Sequence, residues 1–219
     1  MKHFKAVIYD IDGTILNTLN MNMYPLIRII REETGQEWSF EQVLRFVPYP
    51  GMKVMEELGV KDPERVYARW VKYVNEYEEG ATLYEGFEEV FPKLGARFLQ
   101  AVVSAKTREQ YRIDFCSKGL DRYMAAAVLE GDTEKHKPDP EPLLECASRL
   151  GILPEEAVYV GDAGSDQEAA RRAGMTFAYA RWGRVEVPGN GLSREQVLVD
   201  GGFVFERPLD LLELLKYAW

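Results

Sequence analysis

VIYDIDGTILNT, residues 7–18, runs from an apolar stretch into Asp10 and Asp12, one residue apart, and then directly into Gly13 and Thr14. Ala6, Val7, Ile8 and Tyr9 suit a strand covered on both faces, as in a parallel sheet. Asp-x-Asp-Gly is also ordinary turn chemistry, and alone the stretch reads equally as a turn. At the end of a buried strand, however, two carboxylates repel each other and lose hydration. Such a pair needs a positive partner, and a divalent cation is the simplest one.

Working outward, further β-branched, apolar runs lie at Phe4–Tyr9, Leu99–Val103, Ala126–Leu129, Ala157–Val160, Thr176–Ala180 and Phe203–Phe205. Most are separated by one helix-like segment. Residues 85–95 and 106–118 fit helices, and a third is expected over 138–151, with Asp139 as its cap, Pro140 in its first turn and Gly151 as its stop. This alternation predicts an α/β fold with a Rossmann-like, mostly parallel sheet, whose ligands gather beyond the carboxyl ends of the strands.

Residues 15–80 break the pattern. MNMYPLIRIIREETG, GMKVMEELG and PERVYARWVKYVNEYEEG all carry helical spacing and nothing there reads as a strand, which predicts an inserted all-helical domain at 15–80 within a core of 1–14 and 81–219. The stripe Tyr67, Trp70, Tyr73, Val74, Tyr77 is expected to be a packed helix face. Residues 183–201, rich in Gly and polar side chains, are expected to form a surface loop before a closing helix at PLDLLELLK.

The bulk chemistry narrows the function. With 219 residues, 46% of them hydrophobic, the chain can bury a sizeable core. A net charge of −9 gives no general attraction to nucleic acid or to anionic membranes, so a phosphate-bearing substrate has to be caught locally. No apolar run is long enough for a spanning helix and no signal-like stretch opens the chain, so a cytoplasmic location is expected. Cys116 and Cys146 form no C-x-x-C and read as buried thiols. His3 and His136 are the only histidines, too few for a His-based zinc site or a Ser-His-Asp triad.

If the sheet reading holds, four groups project from strand ends: Asp10 with Asp12, Ser104, Lys137, and Asp162 with Asp166. Carboxylates suit a hard cation such as Mg²⁺, which takes one or two of them together with water and phosphate oxygens. Asp10 and Asp162 are the expected direct ligands. Asp166 is expected either to hold Lys137 or a bound water, or simply to cap the helix that follows. The Ser104 hydroxyl and the next amides, beginning with Ala105, can hold a phosphate oxygen, although Ser104 can equally cap a helix. Lys137 would supply positive charge to an acidic cluster that must also accept a phosphoryl group.

In their order along the chain, YDIDGTILNT, VVSAKT, KHKPDPEP and YVGDAGSDQEAARRAGM resemble the four motifs of the haloacid dehalogenase-like hydrolase superfamily, in its phosphoglycolate phosphatase-like branch. The resemblance covers nearly the whole length and implies a helical cap inserted after the first strand. It implies Asp10 as a nucleophile that forms an aspartyl-phosphate, and Asp12 as the general acid/base. Further, it implies Mg²⁺ bound by Asp10, the Asp12 backbone carbonyl and Asp162, with Thr14, Ser104 and Lys137 on the phosphate. Asn17 and Ala105 depart from the pattern, at positions where relatives usually carry an acid and an Asn.

The expected activity is a Mg²⁺-dependent phosphatase acting on a small-molecule phosphate monoester, as a monomer. A phosphosugar mutase is the alternative enzyme, distinguished by an isomerised sugar phosphate in place of free phosphate. A non-catalytic interaction protein that keeps the fold is the alternative from another class, distinguished by no metal-dependent turnover. PYPGMKVM (48–55), with Lys53 as an anion contact, is the stretch expected to select the leaving group.

Overall fold

A computed structural model describes residues 3–47, 49, 51–185 and 194–218. The chain runs β1 (Ala6–Tyr9), β2 (Leu16–Asn17), α1 (Leu19–Thr34), α2 (Phe40–Val43), α3 (Gly51–Leu58), α4 (Pro63–Asn75), β3 (Thr82–Leu83), α5 (Phe87–Gly95), β4 (Leu99–Val103) and α6 (Arg108–Asp114). It continues with β5 (Ala126–Val128), α7 (Glu141–Leu150), β6 (Ala157–Gly161), α8 (Gly164–Ala173), β7 (Thr176–Ala180), α9 (Arg194–Val199) and β8 (Phe203–Phe205), and closes in a 3₁₀ helix, Pro208–Tyr217.

The expected α/β sheet is present: six strands in the order β5-β4-β1-β6-β7-β8, every adjacent pair parallel. All four residues of β1 are fully buried, as their unbroken apolar run requires of a central strand. β1 pairs with β4 on one side and β6 on the other, Tyr9 lying level with both Val102 and Val160. The strand order reverses about β1, so the ends of β4, β1 and β6 open side by side at the switch point where α/β sheets gather ligands.

The described residues divide into two compact units. One is drawn from Met1–Asn17, Leu83–Arg184 and Gly191–Trp219, the other from Thr18–Thr82 and Val185–Asn190. In the second unit α1, α2, α3 and α4 pack on one another. Its predicted aromatic stripe is a packed face: Trp70 and Val74 are buried, and Trp70 Nε1 donates to the Asn22 carbonyl at 3.0 Å.

Four details depart from the sequence reading. Residues 15–80 are not free of strand, because Leu16–Asn17 pairs with Thr82–Leu83 in a two-residue ribbon too short for any periodicity to show. The segment 106–118 is split into α6 and a 3₁₀ turn, Cys116–Lys118. At α7 the cap shifts by one: Pro140 is the cap residue and Pro142 lies in the first turn, while Asp139 Oδ1 accepts the Glu141 N–H at 3.1 Å. Finally, the stretch read as a surface loop, 183–201, contains α9. That helix is too short to stand on propensity and rests on Val197, buried against β7, where Gly202 lets the backbone of Phe177 come close. Residues 186–193 of the expected loop, and Pro48 and Pro50 of the expected substrate-selecting stretch, lie outside the described residues. Among the described residues no helix is long and apolar enough to cross a membrane.

Candidate active site

The loop after β1 begins with Asp10, whose N–H donates to the Val160 carbonyl of β6 at 2.8 Å. The side chain is thereby delivered into the gap between neighbouring strand ends. Gly13 takes a positive φ of +80°, and a Cβ there would collide with the Asp162 carboxylate. The turn can close on Asp162 only because this residue is glycine. The same loop is also held by Trp182, whose Nε1 donates to the Thr14 carbonyl at 2.9 Å, and by Gly183, where a Cβ would strike the Gly13 carbonyl.

Among the described residues, carboxylate oxygens of Asp10, Asp162 and Asp166 come within 4.8 Å of one another. Lys137 reaches into the cluster from the loop before α7. Its Nζ donates to Asp10 Oδ1 at 2.8 Å, to Asp166 Oδ1 at 2.7 Å and to the Tyr159 hydroxyl at 3.0 Å. Both roles weighed for Asp166 are present at once: one oxygen holds Lys137, and the other accepts the Ala163 N–H at 3.0 Å ahead of α8. Asp162 accepts from the Thr14 hydroxyl at 3.2 Å, so Thr14, expected on a phosphate, faces a carboxylate in this structure.

Burial pushes the Asp10 carboxyl up to about 7, with Asp166 and Asp12 adding repulsion and Lys137 opposing both. Burial likewise holds Asp162 well above the usual carboxylate range, reinforced by Asp166 and Asp10. For Lys137 burial works against the ammonium, but Asp10 and Asp166 override it and hold the amine charged. Three carboxylates therefore share their space with one ammonium, and the donors are all hard oxygens. That set fits a small divalent cation such as Mg²⁺, whose charge would offset the burial and the mutual repulsion that push the Asp10 and Asp162 carboxyls up.

Asp12 lies outside this cluster. Lys106 Nζ stands 3.0 Å from Asp12 Oδ1 and 2.6 Å from Asp114 Oδ2. The two aspartates of the opening motif thus meet different ammonium groups, Asp10 with Lys137 and Asp12 with Lys106. Ser104 sits at the end of β4, buried, and its Oγ accepts the Lys106 N–H at 3.2 Å. It does not cap α6; Thr107 does, its side chain accepting from the Gln110 N–H while Gln110 answers the Thr107 N–H. Ala105 is exposed beside it. Lys53 lies in α3 of the other unit, exposed, with its Nζ 3.4 Å from Glu57.

The sequence reading missed Lys106, Asp114 and Tyr159. Nothing local marks Lys106 as buried, since a lysine in the loop after a strand is ordinarily solvated. Asp114 did leave a signal: it shares the inward face of α6 with Tyr111, three residues before it, and an acid among buried aromatics needs a partner.

The profile of the haloacid dehalogenase-like hydrolase family matches residues 7–180. Among curated relatives, the chain is 29% identical to the phosphoglycolate phosphatase of Aquifex aeolicus over 96% of each chain. It is 27% identical to the pyrophosphatase PpaX of Anoxybacillus flavithermus over 97% of each chain. A crystal structure from Lactobacillus plantarum superposes with a TM-score of 0.83 at 26% identity, covering 97% of this chain and 99% of that one.

Proposed function

The chain belongs to the haloacid dehalogenase-like hydrolases, and from that premise we propose that it is a Mg²⁺-dependent phosphatase that hydrolyses a small-molecule phosphate ester through an aspartyl-phosphate on Asp10. The observation that carries this reading is the division of labour in the opening motif. Asp10 shares a carboxylate cluster with Asp162, Asp166 and Lys137, whereas Asp12, two residues on, is turned to Lys106. Two carboxylates in distinct surroundings are what nucleophilic and acid/base roles require of neighbours.

In this reading Asp10, the Asp12 backbone carbonyl and Asp162 would hold the cation, with Asp166 fixing Lys137 behind them. When bound, the cation supplies charge that keeps Asp10 ionised and offsets the negative charge of the phosphoryl group. An Asp10 oxygen attacks phosphorus and the ester P–O bond breaks, while the Asp12 carboxylic acid gives its proton to the departing oxygen. Water then attacks the phosphoryl group on Asp10, Asp12 takes the proton, and the Asp10 carboxylate returns. Lys137 and Ser104, with the Ala105 amide beside it, would steady the phosphoryl oxygens, and Thr14 would join them once a cation engages Asp162. The helical stretch 15–80 would serve as a cap that selects the leaving group and excludes water, with Lys53 as an anion contact.

The name of the Anoxybacillus relative favours a second substrate class for the same chemistry, a phosphoanhydride such as pyrophosphate. Phosphate release from phenyl phosphate and from pyrophosphate, with and without Mg²⁺, tests both. Asp10→Asn is expected to abolish release from either, and undiminished turnover in that variant would refute the mechanism.

A further inference from the structure

The buried ion cluster beside Asp12 has no place in the chemistry above, yet its geometry is specific. Lys106 is 7% exposed and Asp114 5%, while Asp12 is 37% exposed at the open end of the same chain of charges. A lysine stem running inward from the β4–α6 loop and an aspartate at the last turn of α6 form a buried pair at 2.6 Å. Burying a charge pair is costly, and a hydrophobic pair of similar volume would serve packing as well. The loop that carries Lys106 is pinned at both backbone groups: its N–H donates to Ser104 Oγ at 3.2 Å and its carbonyl accepts the Glu130 N–H at 3.0 Å. The ammonium is therefore a fixed point: its hydrogen bond goes to Asp114 Oδ2, and it stands 3.0 Å from Asp12 Oδ1 as an ion pair.

We propose that Lys106, anchored by Asp114, is a positioning residue that holds the Asp12 carboxyl by one oxygen, Oδ1, and so keeps Oδ2 turned to the leaving group and then to the attacking water. This rests on the reading of Asp12 as the acid/base. In the first half-reaction the Asp10–phosphorus bond forms, the ester P–O bond breaks, and the Asp12 proton goes to the departing oxygen. In the second, the water oxygen bonds phosphorus, the Asp10–phosphorus bond breaks, and a water proton returns to Asp12. One carboxyl must meet two different oxygens in turn, so a tether on its far side retains its direction while its proton comes and goes.

Phenyl phosphate and 2,4-dinitrophenyl phosphate, a poor and a good leaving group, separate this role from a merely structural one. Because Lys106→Met alone would strand Asp114, the paired variant Lys106→Met/Asp114→Leu is used, with Lys106→Arg as the conservative replacement. The paired variant is expected to bind either ester with KM within about twofold of the parent and to keep the dinitrophenolate burst, which needs no acid. Its turnover of phenyl phosphate should fall about 10- to 100-fold, part of the 10²- to 10⁴-fold that a general acid contributes. Lys106→Arg should restore most of that loss. Equal losses on the burst and on phenyl phosphate, or no loss on either, would overturn the proposal; should the paired variant not fold, Lys106→Gln, which keeps a donor for Asp114 without the charge, is read against the same two outcomes. Asp12→Asn keeps the two readings apart. If it leaves the preference between the two esters unchanged, the acid/base reading itself fails; if it shifts that preference and the paired variant does not, only the role of Lys106 fails.

Discussion

Lys137 Nζ stands 2.8 Å from Asp10 Oδ1, although 127 residues separate the two in sequence. The contact spans the sheet's switch point: Asp10 comes from the end of β1, and Lys137 from the loop that leads into α7. Tyr159 on β6 and Asp166 on α8 complete the cradle of the ammonium.

Removing this ammonium should be felt twice. Lys137→Met leaves Asp10 and Asp166 buried without their cation, which for a broken buried pair costs roughly 3–5 kcal/mol, here eased as Asp10 takes up a proton. Phosphate release should fall about 10²- to 10³-fold, the scale for losing one preorganised charge at a developing oxyanion. Urea denaturation and a phosphate assay check both, and a variant as stable as the parent would show that the ammonium is not needed to hold the acids.

The raised carboxyls fix a sign for pH. Asp10 moves from an ordinary 3.8 up to about 7, so the folded chain binds its proton more tightly than the unfolded chain does. Stability from this group is full at acid pH and declines as pH rises from about 4 to about 7, with Asp162 acting in the same direction. A cation competes with those protons. Added Mg²⁺ should therefore raise the melting temperature more at about pH 8 than at about pH 5.5. Equal shifts at both values would contradict the placement of the cation among these acids.

Gly161 tests the packing behind the site. A Cβ at this position would stand 2.6 Å from the Asp166 Cβ, whereas one at Gly164 meets nothing within 4 Å. Gly161→Ala should cost roughly 1–3 kcal/mol and lower turnover by displacing Asp166 from Lys137. Gly164→Ala, at the start of α8, should be neutral or stabilising by up to about 1 kcal/mol. Thermal melts of the two variants side by side decide it.

Lys53 offers the contrast of an exposed residue. Its pairing with Glu57 at 3.4 Å is a surface contact, so Lys53→Ala should shift stability by no more than about 0.5 kcal/mol. If it contacts the substrate as proposed, KM should rise several-fold with kcat little changed. Unchanged kinetics would remove Lys53 from the substrate site.

What the sequence disclosed follows from what local chemistry can encode. The unbroken apolar run of β1 announced a central parallel strand, and Asp10 and Asp162, each just beyond a strand, meet Asp166 of α8 and Lys137 of the loop before α7 at the end of that sheet. Contacts set by partners distant in the chain were hidden. The Lys106–Asp114 pair depends on how α6 turns against the β4 loop, and α9 on a single buried valine. Asp114 signalled only that it needed a partner, nothing local named Lys106 or marked α9, and the Ser104 hydroxyl was equally ambiguous until Thr107 took the cap.

The central claim is that Asp10 is phosphorylated in turnover. Acid quench during steady-state hydrolysis of phenyl phosphate with Mg²⁺, reductive trapping of the acyl phosphate with borohydride and peptide mass spectrometry would locate the modified residue. The account predicts modification at Asp10 that disappears in Asp10→Asn. Trapping at another residue, or steady turnover with no acyl phosphate at any burst-competent time point, would contradict it.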